Sequence, residues 1–217
     1  MFRTCKLYIK ITSNLLYYNS SIFKHDTIMI NSNLSDYLYN VNSMRNLVRY
    51  QAAPHVSSET VAEHSFYVAA YVLKFHDFYE FNLEKALRMA LLHDFSEVFI
   101  SDVPYPIKSK YKDIQKALDK AERQVNIDYV SERFANEMEE FNNMSTVEGI
   151  IVELADVMSV VSYSKHEIEL SNSKYMRDVY NKSIPRYTRI LTKAEKYLRP
   201  GFTTEEIINQ IGNFMEK

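Results

Sequence analysis

Three glycines in 217 residues constrain this chain more than any other feature of its sequence. Tight hairpins and phosphate-cradling loops rely on a residue that reaches positive φ without steric cost, and that residue is glycine. A chain so poor in it is badly suited to a β-rich fold or to a Gly-rich nucleotide cradle. Helix packed on helix remains, and the apolar spacing agrees.

In "LSDYLYNVNSMRNLVRY", Leu34, Tyr37, Leu38, Val41, Met44, Leu47 and Val48 recur at three- and four-residue intervals, which predicts one helix running to Tyr50. "QAAPHVSSE" ends it, with Pro54 and two serines as punctuation. Thr60 and Glu63 form a T-x-x-E capping box that opens a second helix, with Val61, Ala62, Phe66, Ala69, Ala70 and Leu73 as its apolar stripe. Asn82 starts a third, "LEKALRMALLHDFSEVF". "SDVPYPIKSKY" reads as a loop, because Pro104 and Pro106 do not both fit a regular element. Four more helical stretches follow: "DIQKALDKAERQVNIDYV", "ERFANEMEEFNN", "TVEGIIVELADVMSVVSYSKHEIEL" and "MRDVYNKSIPRYTRILTKAEKYL", the last with Pro185 as a candidate break. The expected fold class is therefore an all-α helical bundle over residues 31–217. Residues 1–30 alternate only weakly and are expected to be a peripheral or disordered extension. They lack a clear signal-peptide core, and no run of about 20 apolar residues is available to span a membrane.

The formal charge of -2 and a sequence pI near 6.3 argue against an extended basic face for nucleic acid. A single cysteine, Cys5, removes both a disulfide framework and a cysteine zinc site within one chain. The expected setting is cytoplasmic.

"HDFYE" at residues 76–80 and "HDFSE" at residues 93–97 pose a choice, since a His-Asp pair with a Glu one turn later has the makings of a metal site. An unbroken second helix puts His76 twelve residues beyond His64, about 18 Å along the axis at 1.5 Å per residue, too far to share an ion. His76 also falls at a helix end, where a solvated histidine is unexceptional. If the second and third helices form a hairpin turning near Tyr79, His64 lies fifteen residues before the turn and His93 fourteen after it. The two then stand side by side. "MALLHDF" places His93 and Asp94 deep in an apolar helix, where an Asp needs a partner or a metal. Asp156, in "VELADVMSVV", has the same need. His64, His93, Asp94 and Asp156 make a two-His, two-Asp set that suits one divalent ion such as Mn, Co, Fe, Ni or Mg better than a structural zinc.

"EHS", "LLHDFSE", "SDVP" and a late "LAD", in that order, resemble the HD-domain metal-dependent phosphohydrolases, and most closely the bacterial 5'-deoxynucleotidases, over roughly residues 40–200. The resemblance implies His64, His93, Asp94 and Asp156 as metal ligands, with Glu97 and Asp102 beside the phosphate and the attacking water. It implies Arg49 as the phosphate-binding cation and Lys108 as a second one. Tyr50 stands where the bacterial enzymes carry a Trp near the deoxyribose, a departure that bears on sugar preference. Implied with these are a nucleotide substrate and a homodimer as an allowed assembly, while the charge balance and the lack of an apolar span give the expectation of no nucleic acid or membrane partner. Glu97 is also the i+4 neighbour of His93 and so projects from the same face. The rival readings are a deoxynucleoside triphosphate triphosphohydrolase and a metal-bound nucleotide sensor without turnover; retention of Glu97 and Asp102 weighs against the sensor.

Overall fold

The computed structural model describes residues 34–51, 53–103, 105–171 and 173–216. The expected extension over residues 1–30 lies outside them. Within the described residues every element is helical, and β-pairing is confined to two isolated bridges, Val48 with Thr60 and Tyr79 with Leu198. The helices are α1 (Leu34–Ser43), α2 (Val61–Phe75), α3 (Leu83–Leu92), α4 (Glu97–Ile100), α5 (Tyr105–Lys110), α6 (Lys112–Tyr129), α7 (Glu132–Asn143), α8 (Val147–Ser171), α9 (Lys174–Ala194) and α10 (Thr204–Glu216), with 3-10 turns at Met44–Asn46 and Glu195–Tyr197. None of the described helices is long and apolar enough to cross a membrane.

Capping explains where several of these begin. Thr60 accepts from the Glu63 backbone N–H at 3.2 Å while the Glu63 carboxylate accepts from the Thr60 N–H at 2.8 Å, closing the anticipated capping box. Asn82 caps α3 by accepting from Lys85 N–H, Ser131 caps α7 by accepting from Phe134 N–H, and Ser173 caps α9 by accepting from Met176 N–H.

α8 is the axis of the domain. Residues on every side of it are buried, from Ile150 and Ile151 to Leu154, Val157, Met158 and Val161, because α2, α3, α7 and α9 all pack on it. Gly149 is what lets α7 come so near: a Cβ there would stand 2.8 Å from the Glu140 carbonyl oxygen and 3.1 Å from Phe141 Cα. α2 and α3 form the expected hairpin, with Tyr79 fully buried in its turn. That turn is tied to the chain after α9: Glu80 N–H donates to Tyr197 O and Arg199 N–H to Phe78 O.

Four local expectations are corrected. The first helix stops at Ser43 and, after one 3-10 turn, the chain runs extended from Leu47 instead of staying helical to Tyr50. It does so because Val48 pairs with Thr60, and two backbone hydrogen bonds across that pairing replace those of a helix. The stretch after Pro104 forms the short helix α5, with Pro106 in its first turn, where a missing N–H costs no intrahelical bond. Pro185 lies inside α9 without ending it. α10 has no counterpart among the expected elements.

Candidate active site

His64 enters the site from the first turns of α2 and is wholly buried. His93 follows directly after α3 as its C-cap, and Asp94 stands in the turn that leads to α4. The pair therefore terminates the helix, whereas burial deep within one was expected. The helix end frees backbone carbonyls, and His93 uses one of them: its Nδ1 lies 2.9 Å from Ala90 O. A carbonyl only accepts, so Nδ1 carries the hydrogen and Nε2 of the neutral ring offers a lone pair.

That Nε2 faces the Nε2 of His64 at 3.3 Å. Asp94 Oδ2 lies 3.2 Å from His93 Nε2 and 3.7 Å from His64 Nε2, and Asp156 Oδ1, from α8, lies 3.1 Å from His64 Nε2. The other ring nitrogen of His64 is held by Ser159 Oγ at 3.1 Å. The two Nε2 atoms and Asp94 thus lie within reach of one another, with Asp156 in contact on the His64 side, an arrangement that a positive charge among them favours. The imidazoles form its floor, and the side chains of Asp94 and Asp156, 21% and 16% exposed, form the open side. His64, His93 and Asp94 alone satisfy the spacing of a metal-binding group, and the donor chemistry of all four fits a divalent ion.

The electrostatics express the same demand. Burial and the nearby Arg49 guanidinium push His64 down, to about 4, against the pull of Asp156. Burial also opposes a charge on His93, but the Asp94 carboxylate beside it prevails and lifts it to about 9. Burial would raise both carboxyls, yet the facing imidazoles hold Asp94 well below the carboxylate range and Asp156 at about 2. Two ionised carboxylates in a buried site call for a positive charge among them, which either a proton on His93 or a bound cation supplies; the cation leaves His93 as the neutral ring.

The other residues expected at the site lie around the cluster. Glu97 opens α4; its Oε2 is buried and lacks a hydrogen-bond partner among the described residues. Burial, then the charges of Asp94 and Asp102, push its carboxyl up to about 9, with Arg49 and Lys108 acting the other way, so all four lie within its field. Asp102 Oδ2 lies 3.4 Å from the Tyr50 backbone N–H. Both sides of that contact are strained: Tyr50 has φ 57° and Ser101, next to Asp102, has φ 65°. The Tyr50 ring stacks on Tyr163 at 5.2 Å and 8°, with the Arg49 guanidinium 5.3 Å from its centre. Lys108, on α5, sits 3.9 Å from Glu122 of α6.

Several partners around the site, Tyr163 among them, went unremarked in the sequence. Ser159 is three residues from Asp156, so helical spacing alone puts it on the same face. Glu59 and Glu122 gave no such signal, because each reaches the site through a tertiary contact. Glu59 is 6% exposed and binds Arg49 at 2.9 Å. A cavity of about 600 Å³ opens beside Glu59, Ser159 and Tyr163, and neither Asp94 nor Asp156 lines it.

His76, by contrast, closes α2 far from this cluster. The Arg199 guanidinium donates to its carbonyl oxygen at 3.1 Å and its ring packs edge-on against Phe81. "HDFYE" is a helix-end turn pinned by an arginine.

The all-α bundle, with His64, the His93–Asp94 pair and Asp156 gathered within it, has the fold of the HD-domain phosphohydrolases: an enzyme of that description from Listeria innocua matches it with a TM-score of 0.66 at 20% identity over 83% of this chain and 88% of that one. The chain belongs to the 5'-deoxynucleotidase YfbR-like family, which matches residues 36–197. A 5'-deoxynucleotidase of Enterobacter sp. (strain 638) is 28% identical over 157 residues, 65% of this chain and 77% of its own length. A cyanophage S-2L HD phosphohydrolase, solved with dA and one catalytic Zn2+ ion, shares the fold at a TM-score of 0.61 and 17% identity, over 82% of this chain and 95% of that one. The protein is thus an enzyme, a phosphohydrolase of the 5'-deoxynucleotidase type.

Proposed function

We propose that removal of the 5'-phosphate from deoxynucleoside monophosphates runs here on one divalent ion held by His64, His93, Asp94 and Asp156. A bound ion of this kind polarises the phosphoryl oxygens and lowers the pKa of a water. Arg49 and Lys108 neutralise the phosphate, Arg49 with the planar fork that suits a bidentate grip. Glu97 and Asp102 hold the attacking water and carry its proton. Tyr50, stacked flat on Tyr163, is a rigid wall beside Arg49 and meets the sugar.

The observation that carries this reading is the convergence of the two Nε2 atoms and two carboxylates within 3.1–3.7 Å contacts, with Arg49 in the same field. The identity of the ion is open among Co, Mn, Mg, Fe and Ni, and the Zn2+ of the cyanophage relative adds zinc to the trial. The deciding experiment offers dAMP, AMP and dATP in parallel to metal-depleted protein resupplied with each ion, with products followed by phosphorus NMR. Orthophosphate from dAMP and little from AMP is the expected outcome. Intact triphosphate from dATP would move the substrate class to triphosphates.

A further inference from the structure

We infer that Glu59 is a positioning residue for the phosphate-binding cation: it anchors Arg49 beside the metal cluster and keeps the guanidinium off the cluster's own carboxylates. The inference rests on the reading of Arg49 as the group that binds phosphate.

Glu59 and Arg49 are ten residues apart and are joined twice. The bridge between Val48 and Thr60 sets the two segments side by side, and Arg49 N–H donates to Glu59 O at 2.8 Å. The side chains then close the same link, Arg49 Nη1 donating to Glu59 Oε2 at 2.9 Å. Both are secluded, with side chains 13% and 7% exposed, so solvent screens the pair only weakly. Glu59 also stands 4.0 Å from His64 Nδ1, but that nitrogen has its closer partner in Ser159, at 3.1 Å. The short contact of Glu59 is to the arginine.

Asp94 and Asp156 exert their charge on the same guanidinium. An arginine released from Glu59 has every reason to pair with one of them, since carboxylates match its fork. Such a move removes the cation from the phosphate and a ligand from the ion together. Glu59 prevents it by supplying a third carboxylate, outside the ligand set, on the side away from the ion.

The test is a double-mutant cycle of Glu59→Gln and Arg49→Ala on the full chain, with two readouts: affinity for inorganic phosphate by titration calorimetry on protein loaded with saturating Mn or Co, and affinity for the ion itself. Glu59→Gln is expected to weaken phosphate binding about tenfold, the scale of coupling between contacting charged residues, and to weaken ion binding as well. In the Arg49→Ala background the same substitution is expected to change phosphate binding less than about twofold, the additivity of uncoupled sites, and ion affinity is expected to return to that of Arg49→Ala alone. A purely structural defect gives no such recovery. Equal losses in both backgrounds overturn the inference. If Arg49→Ala weakens phosphate binding and Glu59→Gln does not, only the role of Glu59 fails; if Arg49→Ala leaves phosphate binding unchanged, the reading of Arg49 fails with it. Should Glu59→Gln not fold, Glu59→Asp, which keeps the charge but withdraws it by one methylene, replaces it in the cycle with the same expected signs.

Discussion

The Nε2 atoms of His64 and His93 face each other at 3.3 Å although 29 residues separate them in the chain. The α2–α3 hairpin creates this proximity, and the Ala90 carbonyl then fixes the tautomer of His93 that turns its lone pair inward. The proposed metal site depends on both.

Removing a donor from that point should remove the ion. His93→Ala and Asp94→Ala are expected to abolish both metal retention and turnover, read as metal per chain and initial rate. Glu97→Gln is expected to keep the metal and to lower turnover by about 10²–10⁴-fold, the usual contribution of a positioned proton-transfer group. Loss of metal in Glu97→Gln would place that residue among the ligands instead.

His76→Ala is expected to leave metal content and turnover at wild-type levels. The Arg199 guanidinium holds the His76 carbonyl oxygen, which the substitution retains; what is lost is the edge contact with Phe81 and the 3.4 Å contact between the ring Nε2 and Arg199 Nη2, both remote from the cluster. A drop in bound metal would overturn the choice between the two His-Asp pairs.

Gly149→Ala sets two effects against each other. Alanine gains roughly 1 kcal/mol over glycine in a helix interior, and less here, where Gly149 stands in the first turn of α8. The new Cβ, however, meets the Glu140 carbonyl oxygen at 2.8 Å and Phe141 Cα at 3.1 Å, both backbone atoms of α7 that no rotamer can move aside. Overpacking of this kind costs about 1–3 kcal/mol, so a net loss of stability is expected, visible as a lower denaturant midpoint with an unchanged slope.

Glu167 on α8 anchors the loop ahead of α2: it is fully buried and accepts from Val56 N–H at 2.7 Å, Ser57 N–H at 2.7 Å and Ser57 Oγ–H at 2.5 Å. Burial alone would raise its carboxyl, but these three donors hold it below the usual range. A depressed carboxylate stabilises the fold above its unfolded pKa, about 4.3 for Glu, and loses that contribution as pH falls through the folded value. Glu167→Gln should therefore be less stable than wild type at neutral pH by about 2 kcal/mol, the scale of hydrogen bonds to a charged group. The gap should narrow as pH drops below about 4. Denaturant midpoints of both proteins measured across that range test it; a gap that does not change with pH would mean the carboxylate charge is not what holds the loop.

The sequence by itself determined what is local. The capping box of Thr60 and Glu63 and the Asn82 cap act over three residues, and apolar stripes act over one or two helical turns, so both are written in the order of residues. The hairpin geometry followed from counting to Tyr79, and with it the proximity of His64 and His93. Tertiary structure decided the rest. The chain from Leu47 to Tyr50 carries a helical pattern, yet it is extended because Thr60 and Val61 offer it backbone partners that helical spacing cannot reveal. α5 forms against α6, where its Lys108 sits near Glu122. Glu59 meets Arg49 only once that extended pairing has formed. A hydrogen bond between residues near in sequence leaves a spacing to read, whereas a contact made by folding leaves none until the fold exists.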